Sequence, residues 1–286
     1  MVVDKKKLKF IDIKNVGEFL IIDSSMNEES IINYIIKNNI ENLSFNQYDG
    51  FLSKDIKPYS NIDNIKRIEI ILNNIEPDQV VKFKNLIYLY MSSPLKTKMD
   101  LSIFTKLQYL NIEWNTKILN LNTLDSLKSL TLRKYKGNPV NLTKLKSIKE
   151  LIFIQGNINS LDFISSLKKL KKLGLFYLKN LLEIKPIKDV NLKDLEIDSC
   201  KNIQYKDSLF FCEELRQLKI SDSSPLPNLS FLTRLKDLKF LSFVGTNIED
   251  GDITPCLNLK YVGFDDKRHY NCINIDGKAI IKTINN

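Results

Sequence analysis

Leu107-Gln-Tyr-Leu110-Asn-Ile112 and, starting 20 residues later, Leu127-Lys-Ser-Leu130-Thr-Leu132 are one phrase written twice. Its first, fourth and sixth positions are apolar, and the last two alternate with polar neighbours. That alternation puts them on one face of a short strand. Working outward, the phrase recurs with first positions at Ile40, Ile65, Leu86, Leu107, Leu127, Ile148, Leu170, Leu192, Leu215, Leu238 and Leu259, 20 to 25 residues apart. A strand this short cannot bury an apolar face alone. It must lie beside the next copy, and the stack becomes a continuous core.

Each unit also needs a return segment. These segments carry apolar residues at a spacing of three: Leu101, Phe104, Leu107; Leu121, Leu124, Leu127; Leu142, Leu145, Ile148; Leu161, Ile164, Leu167, Leu170; Leu229, Leu232, Leu235, Leu238. Such spacing fits a 3-10 turn. A period mostly of 20–23 residues has no room for a full helix of about 12 residues plus strand and corners. Short outer turns and a shallow arc are therefore expected.

On these residues, over about 40–267, the chain resembles leucine-rich repeat proteins of the short-repeat, internalin-like type. The resemblance implies an α/β leucine-rich repeat solenoid. Its parallel sheet would line a concave face, with 3-10 or irregular turns on the convex face and one helix in an N-terminal cap. The resemblance is specific for fold and not for function. The family usually places Asn at the ninth position, where its amide bonds the backbone of adjacent turns. Here that column reads Tyr48, Asn73, Pro94, Asn115, Tyr135, Gly156, Leu178, Cys200, Ser223, Thr246 and Lys267. Only two of the eleven are Asn; Cys, Ser and Thr are tolerated substitutes, but Tyr, Leu, Pro, Gly and Lys are not obvious ones, so an irregular stack with uneven turns is expected.

Stacked cores need atypical ends. Residues 1–39 have the pattern of an N-terminal cap: strands at Leu8–Ile13 and Phe19–Ile22, then a helix capped by Asn27 with Ile31, Ile32, Ile35 and Ile36 on one side. One helix is too little for an F-box-like docking module. Residues 268–286, with Cys272, Ile273, Ile275, Ala279, Ile280 and Ile284, are expected to form a closing strand or hairpin.

Composition removes classes of chemistry. Lys and Arg number 43 against 34 Asp and Glu, a net charge of +9. There is one histidine, His269, so a histidine metal site or catalytic triad has little to work with. Cys200, Cys212, Cys256 and Cys272 lack metal or disulfide-framework spacing and are expected to be reduced and mostly buried. No phosphate-cradling Gly-rich loop or GxSxG elbow occurs. Neither a secretory leader nor a membrane-spanning stretch is evident, which points to the cytoplasm, with export by other routes left open. No cofactor or metal is expected.

In such a solenoid, the third, fifth and seventh positions point into the concave face, with the eighth at its rim. Two features emerge. Aromatic residues gather at Tyr88, Tyr90, Tyr109 and Trp114, and again at Phe176, Tyr177, Phe240 and Tyr261. Trp and Tyr are enriched among interface hot spots; the bland reading is an incidental or covered surface. Asp194, Glu196 and Asp198 alternate on one strand and so share a face. Lys172 and Lys219 stand beside Asp194 and Glu196 on neighbouring strands, so a charge ladder or acidic recognition patch outweighs catalysis or cation binding. A third feature is a basic second column, Lys66, Lys128, Lys149, Lys171, Lys193, Arg216, Lys239 and Lys260. It can track phosphates, or simply keep an edge soluble.

These readings converge on a non-enzymatic module, expected to be monomeric, that binds a protein partner through the concave sheet. The alternatives are an intracellular inhibitor or immunity-type protein, and nucleic-acid or anionic-surface binding through the lysine stripe. A ubiquitin-ligase effector would need an appended catalytic domain that the residues after the last unit do not supply.

Overall fold

Each repeat phrase becomes a strand that starts two residues after its first apolar position. The computed structural model describes residues 8–53, 55–205 and 207–282. The stretch Met1–Lys7 and Ile284 lie outside the described residues. The chain divides into two compact units, Met1–Leu132 and Arg133–Asn286.

The first unit holds β1 (Phe10–Ile13), β2 (Gly17–Ile21), α1 (Glu28–Lys37), β3 (Asn42–Asn46), β4 (Arg67–Ile71), the single-turn α2 (Pro77–Val80), β5 (Tyr88–Met91), β6 (Met99–Asp100), β7 (Tyr109–Glu113) and β8 (Ile118–Leu119). β1 and β2 are antiparallel, and β2, β3, β4, β5 and β7 then pair in parallel. Helix α1 begins where the Asn27 side chain accepts from the Ser30 amide at 2.9 Å, with Glu28 and Glu29 favourable in its first turn. Ile31 and Ile35 are buried, but Ile36 is 58% exposed. The buried face is thus narrower than the run of isoleucines implies.

β9 (Ser129–Tyr135) runs across the division of the chain. The second unit continues with β10 (Glu150–Gly156), β11 (Lys172–Phe176), β12 (Asp194–Asp198), β13 (Gln217–Ser221), β14 (Phe240–Ser242) and β15 (Tyr261–Gly263), parallel and in register. Return segments are 3-10 turns, among them Asp162–Ser166, Lys185–Asp189 and Ser208–Phe211. Leu151, Leu173, Leu195, Leu218 and Leu241 stack in the core, each at most 1% exposed.

The strands from β9 to β14 end at a left-handed corner. The eighth positions Lys134, Gln155, Tyr177, Ser199, Asp222 and Gly245 all have φ between +46° and +72°. This conformation costs a non-glycine residue roughly 1–2 kcal/mol. The corner delivers the next backbone N–H into the core, where it needs an acceptor. The ninth column supplies one from the following rung. The Leu178 amide donates to Cys200 Sγ (3.4 Å), the Cys200 amide to Ser223 Oγ (3.2 Å), and the Ser223 amide to Thr246 Oγ1 (3.0 Å). Over these four rungs the ladder is continuous; a thiol and two hydroxyls replace the amide, as tolerated substitutes in this column. Elsewhere it is irregular. The Asn157 amide bonds the Tyr135 carbonyl directly at 2.8 Å, and a Cβ on Gly156 would fall 2.9 Å from that oxygen. In the first unit, the Leu72 amide donates to Ser93 Oγ at 2.8 Å, one residue before the column's Pro94.

The C-terminal end closes with an antiparallel hairpin of β16 (Cys272–Ile275) and β17 (Lys278–Ile281). Asp276 and Gly277 form its turn with φ of +49° and +76°, as a twisted two-residue hairpin requires. The Val262 amide donates to the Gly277 carbonyl (2.8 Å) and Asn274 Nδ2 donates to the Val262 carbonyl (2.7 Å). An open strand edge is thereby satisfied.

Two outcomes are expected. Replacing the buried Thr246 hydroxyl in Thr246→Val keeps the shape but strands the Ser223 N–H, which should cost about 1–3 kcal/mol in urea unfolding of the full chain; Thr246→Ser should recover most of it. All four cysteines are unpaired and buried, and burial pushes the thiols of Cys212 and Cys256 up to about 12. A thiol reagent at neutral pH should therefore find almost nothing in the native protein and four equivalents after denaturation.

Candidate binding face

The residues of β12 alternate in fate. Leu195 and Ile197 enter the core at 1% and 0% exposure, so Asp194, Glu196 and Asp198 stand half-exposed on the opposite face. The parallel register sets Lys172, Asp194 and Gln217 in one row, Gly174, Glu196 and Lys219 in the next, and Phe176, Asp198 and Ser221 in the third. Lys219 Nζ lies 3.6 Å from Glu196. Lys172 stands beside Asp194 in the register, as its column places it, but its ammonium turns the other way and pairs with Glu150 at 2.6 Å. Asp198 accepts from the Ser199 hydroxyl at 2.6 Å. Among the described residues, no cation lies within ion-pair distance of Asp194 or Asp198, so the row keeps surplus negative charge.

Two glycines, which the column reading passed over, shape the aromatic part of this face. A Cβ on Gly174 would come 2.7 Å from the Phe176 ring and 3.3 Å from Ile152. Its absence lets that ring lie back across the sheet beside the acidic row. Gly263 does the same for Tyr261, whose hydroxyl would be 3.2 Å from a Cβ there. Tyr261 stacks on Phe240 with centroids 4.4 Å apart and planes within 5°. Lys219 Nζ stands 5.9 Å from the Phe240 centroid, and a Cβ on Gly277 would fall 2.6 Å from the Tyr261 ring. Ammonium, two rings and hairpin turn thus form one stack, tying the acidic row to the closing hairpin. Tyr261 is still 40% exposed. Tyr177 sits on the left-handed corner of its strand, half exposed, with its amide bonded to the Asp198 carbonyl at 2.9 Å. The sequence signal for the glycines was present: each lies two residues from an aromatic on the same strand, and hence on the same face.

The first unit holds the other aromatic group. Tyr88 pairs with Tyr109, and Tyr90 with Asn111, along β5 and β7. Tyr109 is 42% exposed; Tyr90 and Trp114 are half-buried. Tyr88 is buried and meets the Phe19 ring edge-on at 5.7 Å. As a ring offered to a partner it is therefore corrected, because Phe19 occupies the same face from β2. Nearby, the Ser44 hydroxyl donates to Glu69 at 2.6 Å, and burial raises that carboxyl despite the bond.

Among the described residues, no group of three or more His, Cys, Asp or Glu is placed to hold a metal ion, the β12 acids included. No helix among them is long and apolar enough to cross a membrane. His269 lies near the chain end with Nε2 3.1 Å from the Ile248 carbonyl.

The fold has counterparts among solved structures. An internalin (inlF) of Listeria monocytogenes superposes with a TM-score of 0.58 at 18% identity, over 88% of this chain and 82% of that one. An internalin C2 of the same organism gives 0.51 at 19% identity, over 64% and 82%. A leucine-rich repeat protein of Leptospira interrogans gives 0.51 at 17%, over 79% and 65%. No protein-family model matches the sequence, and no curated protein matches it either. At such identities the likeness is one of fold.

Substituting Gly174 by Val should push the Phe176 ring off the sheet. A shift of its aromatic resonances with little loss of stability would show it.

Proposed function

We propose that this leucine-rich repeat chain is a non-enzymatic binding module, and that the sheet face of its second unit grips a basic segment of a protein partner. The observation that carries the reading is the row Asp194, Glu196 and Asp198. It is held rigid by β12 and left with surplus negative charge, while the chain as a whole is positive. Unlike charges brought together across an interface raise the association rate and fix register. Phe176, Tyr177, Phe240 and Tyr261 border the row and add apolar area beside it. A strand scaffold holds all of these side chains before the partner arrives, so little ordering entropy is lost on docking. Tyr90, Tyr109 and Trp114 of the first unit offer a separate aromatic surface for the same kind of partner. An inhibitor or immunity-type role would be a special case of this binding.

The test compares partner recovery on immobilised wild type with that on Asp194→Lys/Asp198→Lys and on Tyr177→Ala/Tyr261→Ala. Partners captured by wild type should be lost from the first variant, with association slowed at low salt. Truncating a hot-spot ring should cost about 2 kcal/mol or more, roughly 30-fold in Kd. Equal recovery by all three proteins rejects the face as the binding surface.

A further inference from the structure

The net charge is not spread evenly. Residues 133–286 carry 26 Lys and Arg against 18 Asp and Glu, a net of +8, whereas residues 1–132 carry 17 against 16. Nearly all the excess thus belongs to the second unit, whose sheet face is acidic at β12. The positive charge must lie elsewhere on that unit, and its backbone shows where. The residue just before each strand is basic: Lys149, Lys171, Lys193, Arg216, Lys239 and Lys260. These six residues are locked to one another through the main chain. The Lys171 amide donates to the Lys149 carbonyl (2.8 Å), Lys193 to Lys171 (2.7 Å), Arg216 to Lys193 (2.8 Å) and Lys239 to Arg216 (3.0 Å), and the Lys239 carbonyl accepts from Tyr261, the neighbour of Lys260 (3.0 Å). Parallel strands lie about 4.8 Å apart, so the column places one cation per rung in single file over about 24 Å. Lys149, Arg216, Lys239 and Lys260 are exposed, and Lys171 and Lys193 half-buried. Glu214, 3.4 Å from Lys171, is the one acid ion-paired to the column among the described residues.

We infer that this basic edge binds the phosphate backbone of a single-stranded nucleic acid, independently of the protein-binding face. A file of fixed cations suits a linear polyanion. A flexible single strand can lay successive phosphates along it. A duplex cannot, because its phosphates wind away around the axis with a turn of about 34 Å, so a straight row meets only a few of them. The contacts are to phosphate alone, so the binding is blind to base sequence.

The experiment is fluorescence anisotropy of a labelled 20-nucleotide oligo-dT with the full chain, from 50 to 200 mM NaCl. Six contacts should give a slope of log K against log salt of about −4, a loss of roughly 300-fold over that range. In Lys149→Gln/Lys193→Gln/Lys239→Gln the slope should fall to about −2. None of these three side chains is hydrogen-bonded or ion-paired among the described residues, so the variant should fold, as circular dichroism will report. The control Lys136→Gln/Lys179→Gln/Lys201→Gln changes the same charge beyond the opposite ends of the strands and should keep the wild-type slope. An equal effect in the control would overturn the inference in favour of diffuse attraction. So would a wild-type slope shallower than about −2, no binding at 50 mM salt, or tighter binding to a duplex or to phosphatidylserine vesicles.

Discussion

A backbone N–H aimed into an apolar core must find an acceptor, and the second unit is organised around that need. The strands from β9 to β14 end in a left-handed corner, and the corner turns the following amide inward. An unsatisfied buried amide costs about 1–3 kcal/mol, roughly twice what a formed hydrogen bond contributes net. Cys200, Ser223 and Thr246 remove that cost by reaching one rung back. The leucines give the stack its cohesion, but this ladder fixes its register. Register in turn decides which side chains share the outer face.

Much of this was legible in the sequence. Eleven phrases predicted eleven strands, because apolar alternation and burial are the same physical fact seen twice. The columns also placed Asp194, Glu196 and Asp198 together, since a parallel register without slippage preserves column order. What escaped was set by side-chain reach and by neighbours of unlike type. Lys172 has two carboxylates within range of its long stem, and only its rotamer selects Glu150. Tyr88 sits on the outer face as its column requires, yet Phe19 arrives from an antiparallel hairpin outside the repeat and covers it. The ninth column was legible residue by residue: the short acceptors Cys200, Ser223 and Thr246 carry the ladder, and the stack departs from it where the column holds Gly156 or Pro94.

The unit with the acidic row also carries the basic edge, and the two do not cancel. Asp194 and its neighbours project from the sheet face, while the cations flank the strand starts. Fields from fixed charges fall off over a Debye length of about 8 Å at physiological ionic strength, so each row acts mainly on partner groups brought close to it. The stack of Lys219, Phe240 and Tyr261 sits at the end of the acidic row and gives it an apolar boundary.

The acceptor ladder also has a consequence for how such a chain can lengthen or shorten in evolution. Each rung satisfies its predecessor and is satisfied by its successor, through short side chains that each offer an acceptor atom. Adding or losing one whole rung between Leu178 and Thr246 would leave every inward amide matched, whichever of Cys, Ser or Thr the newcomer carried. Losing part of a rung would orphan two amides at once. Gene duplication in whole multiples of the repeat is thus the path of least energetic resistance, and ragged insertions belong in the outer turns.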